Sequence, residues 1–70
     1  MGKLNISNNI RALRFGAGEM TQAELAKRTE VTRQTILALE AGRYSPSLDL
    51  AFKIADVFDK EIGDVFYKAG

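Results

Sequence analysis

Between Thr21 and Gly42 the chain fits two short helices and a tight turn into about twenty residues. The first helix opens with a capping box, in which Thr21 accepts from the backbone N–H of Glu24 and Glu24 reaches back to Thr21. Leu25 and Ala26 supply its apolar face, and Lys27 and Arg28 lie near its C-terminal end, where the helix dipole favours cations. Thr32 offers a second N-cap. Ile36 and Leu39 then recur at i, i+3 on a second helix, which Gly42 can close in the left-handed conformation. Counted from Gln22, Ala26 is fifth, the turn residue Glu30 ninth, Ile36 fifteenth and Leu39 eighteenth. That spacing lets the helices cross closely over the small Ala26 and turns Arg33, Gln34, Leu37 and Ala38 outward. A short helix presented in this way fits the major groove of DNA.

Seventy residues make one domain, spanning 1–70, with the two-helix unit at about 21–42. A core of that size supplies only a few kcal/mol of net stability. The chain has no cysteine and no histidine, so neither disulfides nor an ordinary zinc site staple it. Compact helix packing or dimerisation has to do so. No apolar stretch approaches the ~20 residues of a membrane span, and Met1-Gly2-Lys3-Leu4-Asn5 lacks the apolar core of a signal peptide. A soluble, cytoplasmic protein is expected. Net charge is only +1, but residues 1–43 carry seven basic and four acidic side chains, whereas residues 44–70 carry three and five. The positive half holds the two-helix unit, which suits one face meeting phosphate while the other meets solvent or a partner subunit.

Along the chain there is no linker, repeat or low-complexity tract. A first helix is expected from about Asn8 to Phe15, with Ser7 as N-cap, Ile10 and Leu13 inward, and Gly16-Ala17-Gly18 as the break. The second and third helices span roughly 22–29 and 33–41. Pro46 disfavours helix at Ser45, so Arg43-Tyr44-Ser45-Pro46 is a loop. Ser47 caps a fourth helix with a broad apolar stripe at Leu50, Ala51, Ile54, Ala55 and Phe58. Asp59 ends it, and Glu61 to Phe66 form a fifth helix of one to two turns. Leu4 and Ile6 alternate with Lys3, Asn5 and Ser7, which allows an N-terminal strand able to pair with the tail around Phe66 to Lys68.

The run Val31-Thr32-Arg33-Gln34-Thr35-Ile36, followed by Glu40, Arg43-Tyr44 and Pro46-Ser47-Leu48-Asp49-Leu50-Ala51, resembles the small stand-alone members of the Cro/repressor-type (Xre-like) helix-turn-helix regulators. The likeness continues through Phe52-Lys53-Ile54-Ala55 to Ile62 and Phe66. It implies an all-α, compact five-helix, lambda-repressor-like DNA-binding domain, to which similar proteins add a two-stranded β piece. It implies sequence-specific recognition of double-stranded DNA by a small transcriptional regulator. Two turn positions depart from the family pattern: Glu30 and Asp59 each stand where glycine is usual. A non-glycine residue at φ > 0 costs on the order of 1 kcal/mol, and Asp bears it better than Glu. The turn at Glu30 is therefore expected to stop short of the full left-handed conformation.

Arg33 and Gln34 are the best candidates for reading bases, because Arg donates twice to guanine O6 and N7 and Gln pairs bidentately with adenine. Thr35 can meet a thymine methyl or a phosphate, and Ala38 lies beside it. Leu37 and Ala38 depart from the polar residue often found there; Leu37 either contacts thymine methyls or packs sideways on the protein. Gln22, at the start of the second helix, joins an amide donor to free backbone N–H groups suited to phosphate. Thr32 is an N-cap that can also meet phosphate. The resemblance implies that the loop carrying Arg43 and Tyr44 runs along the DNA backbone. It also implies that Arg14 pairs with Glu40 and fixes helix orientation, although the loop after Arg14 is one residue longer than usual.

Nothing points to an enzyme. There is no His or Cys for acid–base or nucleophilic work, the carboxylates are scattered over helix faces, and Gly16-Ala17-Gly18 follows a helix without the strand a phosphate loop requires. No cofactor, metal or small-molecule ligand is expected. The working species is expected to be a symmetric dimer, since one short helix reads too few base pairs to be selective; Ile62, Val65 and Tyr67 are the candidate contacts. The simplest mechanism is repression at a palindromic operator. The alternatives are an antitoxin or phage-type switch protein that autoregulates its operon, and a helix-turn-helix fold used as a protein-interaction module.

Overall fold

The computed structural model describes residues 6–69. Its elements run β1 (Ile6–Asn8), α1 (Ile10–Gly16), α2 (Gln22–Thr29), α3 (Arg33–Glu40), α4 (Leu48–Val57), α5 (Ile62–Val65) and β2 (Phe66–Lys68). Five helices enclose the core, and a two-stranded antiparallel sheet ties the two ends of the described chain together, pairing Ile6 with Lys68, Ser7 with Tyr67 and Asn8 with Phe66. The strand expected from alternation around Leu4 and Ile6 is thus present at Ile6–Asn8; Lys3, Leu4 and Asn5 lie outside the described residues.

Three N-caps form at the expected hydroxyls. Thr21, Thr32 and Ser47 accept from the backbone N–H of Glu24, Thr35 and Leu50 at 3.0, 3.2 and 3.1 Å. The reciprocal half of the Thr21 box is replaced by a helix-surface ion pair, because the Glu24 carboxylate takes Arg28 Nε at 2.8 Å. The first helix starts later than its sequence suggests. Ser7 is committed to β1, Asn9 is the cap residue, and Asn8 Oδ1 accepts from the Ile10 N–H at 3.1 Å.

Three helices end alike. After α3, Gly42 and Arg43 donate to the carbonyls of Leu39 and Ala38, both at 3.0 Å. After α2, Glu30 and Val31 donate to Lys27 and Ala26; after α4, Asp59 and Lys60 donate to Asp56 and Ala55. Each is the paired closure that requires one left-handed residue. Gly42 takes that role at φ +76°, but Glu30 (φ 62°, ψ 38°) and Asp59 (φ 55°) take it without glycine. Glu30 therefore adopts the left-handed conformation in full, contrary to the expectation that a glutamate would avoid it. The two carbonyls satisfied, and the Val31 side chain packed on the core, outweigh the strain of one residue.

Ile10, Leu25, Ile36, Leu39, Ile54 and Val65 are almost wholly buried, joined by Met20, Ala26, Leu50 and Ala55. Burying an aliphatic side chain of this kind contributes roughly 1.5–3 kcal/mol, so every helix holds its place through one or two anchors. Leu13 and Phe58, expected inside, pack at the margin of this cluster. Thr29 is fully buried and donates to the Leu25 carbonyl at 2.8 Å. Among the described residues no buried side-chain N or O lacks a partner.

Candidate nucleic-acid interface

The interface begins with how α3 is held. Its apolar edge, Ile36 and Leu39, is buried, and Ala26 of α2 is 4% exposed where the helices meet. Between α2 and α3 lie only Glu30, Val31 and Thr32, whose bonds are fixed by the α2 closure and the α3 cap. The far end of α3 is pinned twice more: Gly42 and Arg43 close it, and Asn8 Nδ2 donates to the Leu39 carbonyl at 2.9 Å. Sequence patterning does not single out Asn8, because this bond joins it to a residue 31 positions away; its other side-chain bond, accepted from the Ile10 N–H, is local.

Arg33 and Gln34 stand exposed on the first turn of α3. Thr35 is half-buried, and its hydroxyl meets Thr32 Oγ1 at 3.1 Å. Leu37 and Ala38, expected to face outward, are half-buried instead; α3 is short and lies close to its neighbours, so their flanks are partly covered. Arg43 and Tyr44 are exposed just beyond the opposite end of α3, with Tyr44 47% accessible. An eight-residue helix is about 12 Å long, so candidate base readers and the candidate backbone loop bracket the same short rod.

Behind that rod, Arg14 and Glu40 form the expected pair. Arg14 Nε donates to Glu40 Oε2 at 2.7 Å and Nη2 donates to Oε1 at 3.0 Å, while Nη1 reaches the Met20 carbonyl at 2.8 Å. The side chains are 8% and 11% exposed. The longer loop after α1 does not disturb the register: Gly18 and Glu19 both take positive φ, and the Met20 N–H returns to the Arg14 carbonyl at 2.9 Å. A bidentate pair so shielded fixes geometry even where its net stabilisation is small. Gln22 joins it, since Nε2 donates to Glu40 Oε1 at 3.2 Å. Gln22 is thus half-buried and tethered, at the start of a helix whose first N–H groups have no intrahelical acceptor.

Two surface carboxylate–cation sets flank the unit. The Arg28 hydrogen bond and charge hold the Glu24 carboxyl below its ordinary value. Lys53 lies 3.4 Å from Asp49 and 3.5 Å from Glu30, and Asp49 above all raises its ammonium.

Of the candidate pairing residues, Val65 is 0% exposed and packs in the core. It is therefore no contact surface: α5 is a single turn that must spend its one good anchor inward. Ile62 is half-buried and Tyr67 is 45% exposed. Sequence reasoning missed Leu48 and Phe52, which are 70% and 51% exposed at i, i+4 on α4. Among the described residues no group of three or more potential metal ligands comes together, and no helix is long and apolar enough to cross a membrane.

A helix-turn-helix family profile matches residues 10–65. An uncharacterized HTH-type transcriptional regulator of Archaeoglobus fulgidus is 62% identical over 47 residues, which cover 67% of this chain and 66% of that protein. A second from the same organism is 56% identical over 57 residues, covering 81% and 80%. Among solved structures, a candidate DNA-binding protein from Bacteroides fragilis superposes with a TM-score of 0.76 over 89% of this chain and 98% of its own; at 21% identity it speaks for the fold alone.

Proposed function

The chain belongs to the helix-turn-helix family of DNA-binding transcription regulators, and on that footing we propose that it is a repressor that occupies a palindromic operator as a symmetric homodimer in the cytoplasm. The observation that carries this reading is the pairing of two exposed, bidentate-capable side chains, Arg33 and Gln34, with a helix whose both ends are fixed. Because the backbone that carries them is already fixed, contact has only the two side chains left to order. Arg33 and Gln34 read base edges, with Thr35 and Ala38 beside them. Gln22, Thr32, Arg43 and Tyr44 position α3 against the phosphates. Two such helices about 34–36 Å apart read successive major grooves on one face of the duplex. Ile62 and Tyr67 offer apolar surface for pairing, and the exposed Phe52 of α4 lines the same surface groove as Ile62. A protein-interaction role drew its support from an exposed Leu37 and Ala38, and both are half-buried.

The test starts with operator selection from a random DNA pool. On the selected site Gln34→Ala is expected to cost about 1–3 kcal/mol and to relax preference at one base pair. Arg43→Ala is expected to weaken all sequences alike and to reduce the salt slope by about one unit. Equal loss on every sequence for Gln34→Ala would refute base reading. A parent that sediments as a monomer both free and on its operator would refute the dimer.

A further inference from the structure

Glu40 Oε1 is shared by two donors from two helices, Arg14 Nη2 of α1 at 3.0 Å and Gln22 Nε2 of α2 at 3.2 Å. We propose that Glu40 is a positioning residue for DNA binding, and that its carboxylate orients the Gln22 amide so that an N–H, not the carbonyl, is offered to a phosphate. This rests on the reading that Gln22 meets the DNA backbone.

A glutamine amide ends in one acceptor and two donors, and a rotation of its terminal torsion exchanges them. Toward a phosphate the two faces have opposite effects, since a carbonyl oxygen would oppose phosphate oxygens. An ionised carboxylate accepts only, so it selects the NH₂ end of Gln22. One N–H is then spent on Glu40 and the other remains for an anion. A bare carboxylate so close to phosphate would itself be repulsive. Arg14 removes that objection: it engages both Glu40 oxygens, at 2.7 and 3.0 Å, and is itself only 7% exposed. Because Glu40 is the last residue of α3 and Gln22 the first of α2, the contact also sets the phosphate donor relative to the recognition helix.

The experiment has two parts. Gln22 and Gln34 are the only glutamines in the chain, so Gln34, exposed, is an internal control for ¹⁵N relaxation of side-chain amides. In the free protein the Gln22 amide is expected to approach backbone rigidity, with an order parameter near 0.8, while Gln34 falls below about 0.6. Equal mobility at the two positions would overturn the proposal, and this part needs no variant. The second part compares Gln22→Ala in the parent and in an Arg14→Met/Glu40→Leu background, where an apolar pair replaces the ionic one and the fold is expected to survive. Affinity for the selected operator is scaled to the folded fraction measured by circular dichroism. Gln22→Ala is expected to weaken binding about tenfold in the parent and less than about twofold in the background. About tenfold in both would remove the positioning role and leave the phosphate contact standing. No loss in the parent would instead refute the phosphate contact of Gln22, and the proposal with it.

Discussion

Glu30→Gly is expected to stabilise the protein. Glu30 holds φ 62° and ψ 38° in the turn between α2 and α3, a conformation that costs a residue with a Cβ roughly 1–2 kcal/mol. Glycine removes that strain but loses more backbone freedom on folding, roughly 0.5–1 kcal/mol. The substitution also deletes the 3.5 Å contact between Glu30 and Lys53, which are 79% and 43% exposed; solvent screens so exposed a pair and leaves it little weight, and Lys53 keeps Asp49. The balance is a gain of roughly 0.5 kcal/mol, or about 2–4 °C in melting temperature for a domain this small. Glu30→Ala is the control, because it loses the ion pair and keeps the strain. Thermal melts of the parent and both variants should rank Gly above Glu and Ala below it. Alanine melting at or above glycine would refute the argument, since strain could not then be what separates them.

Ile36→Ala and Ile54→Ala each empty a fully buried site and are expected to cost roughly 2–5 kcal/mol; melts matching the parent would mean the core is elsewhere. Thr32→Ala removes the α3 cap and should cost about 1 kcal/mol in stability, read by denaturant titration, with no loss refuting the cap's role. Glu24 has its carboxyl lowered by Arg28, so its contribution is present above its ordinary value near 4.5 and fades as pH falls through the folded value. Melts of the parent and Glu24→Gln should therefore differ most at neutral pH and converge in acid; a gap that widens below pH 4 would contradict the assignment.

Most of the fold is legible because its punctuation is local. Thr21, Thr32, Ser47 and Gly42 act on backbone groups within a few residues, and each does what its position announces. The errors fall where a residue's own preference yields to what other groups require of it. Ser7 would make a good cap, but β2 claims its backbone for a ladder opposite Tyr67, and the cap passes to Asn9. Glu30 looks wrong for a left-handed turn by its own preference. It takes that turn because Ala26 and Lys27 carbonyls need donors and Val31 needs the core. Propensity ranks what a residue prefers alone, and the closure is decided by what the whole helix end gains.

The candidate site divides in the same way. Gln34 is legible because it precedes Ile36 by two positions, which puts it on the opposite face of the helix, and Arg33 because it is the first helical residue after the Thr32 cap, at the open end of α3. Val65 defeats that logic. In a helix of four residues no period can be counted, and inside cannot be told from outside until α5 is docked on α4. Glu40 defeats it differently. Its pairing with Arg14 is carried by resemblance, but the third member, Gln22, becomes visible only when three helices converge on one oxygen. A carboxylate with two donors on Oε1 and one on Oε2 has little capacity left for a DNA-facing role of its own. Its influence on binding has to pass through the group it holds, which is why relaxation of the Gln22 amide in the free protein, rather than loss of affinity in a Glu40 variant, is the decisive measurement.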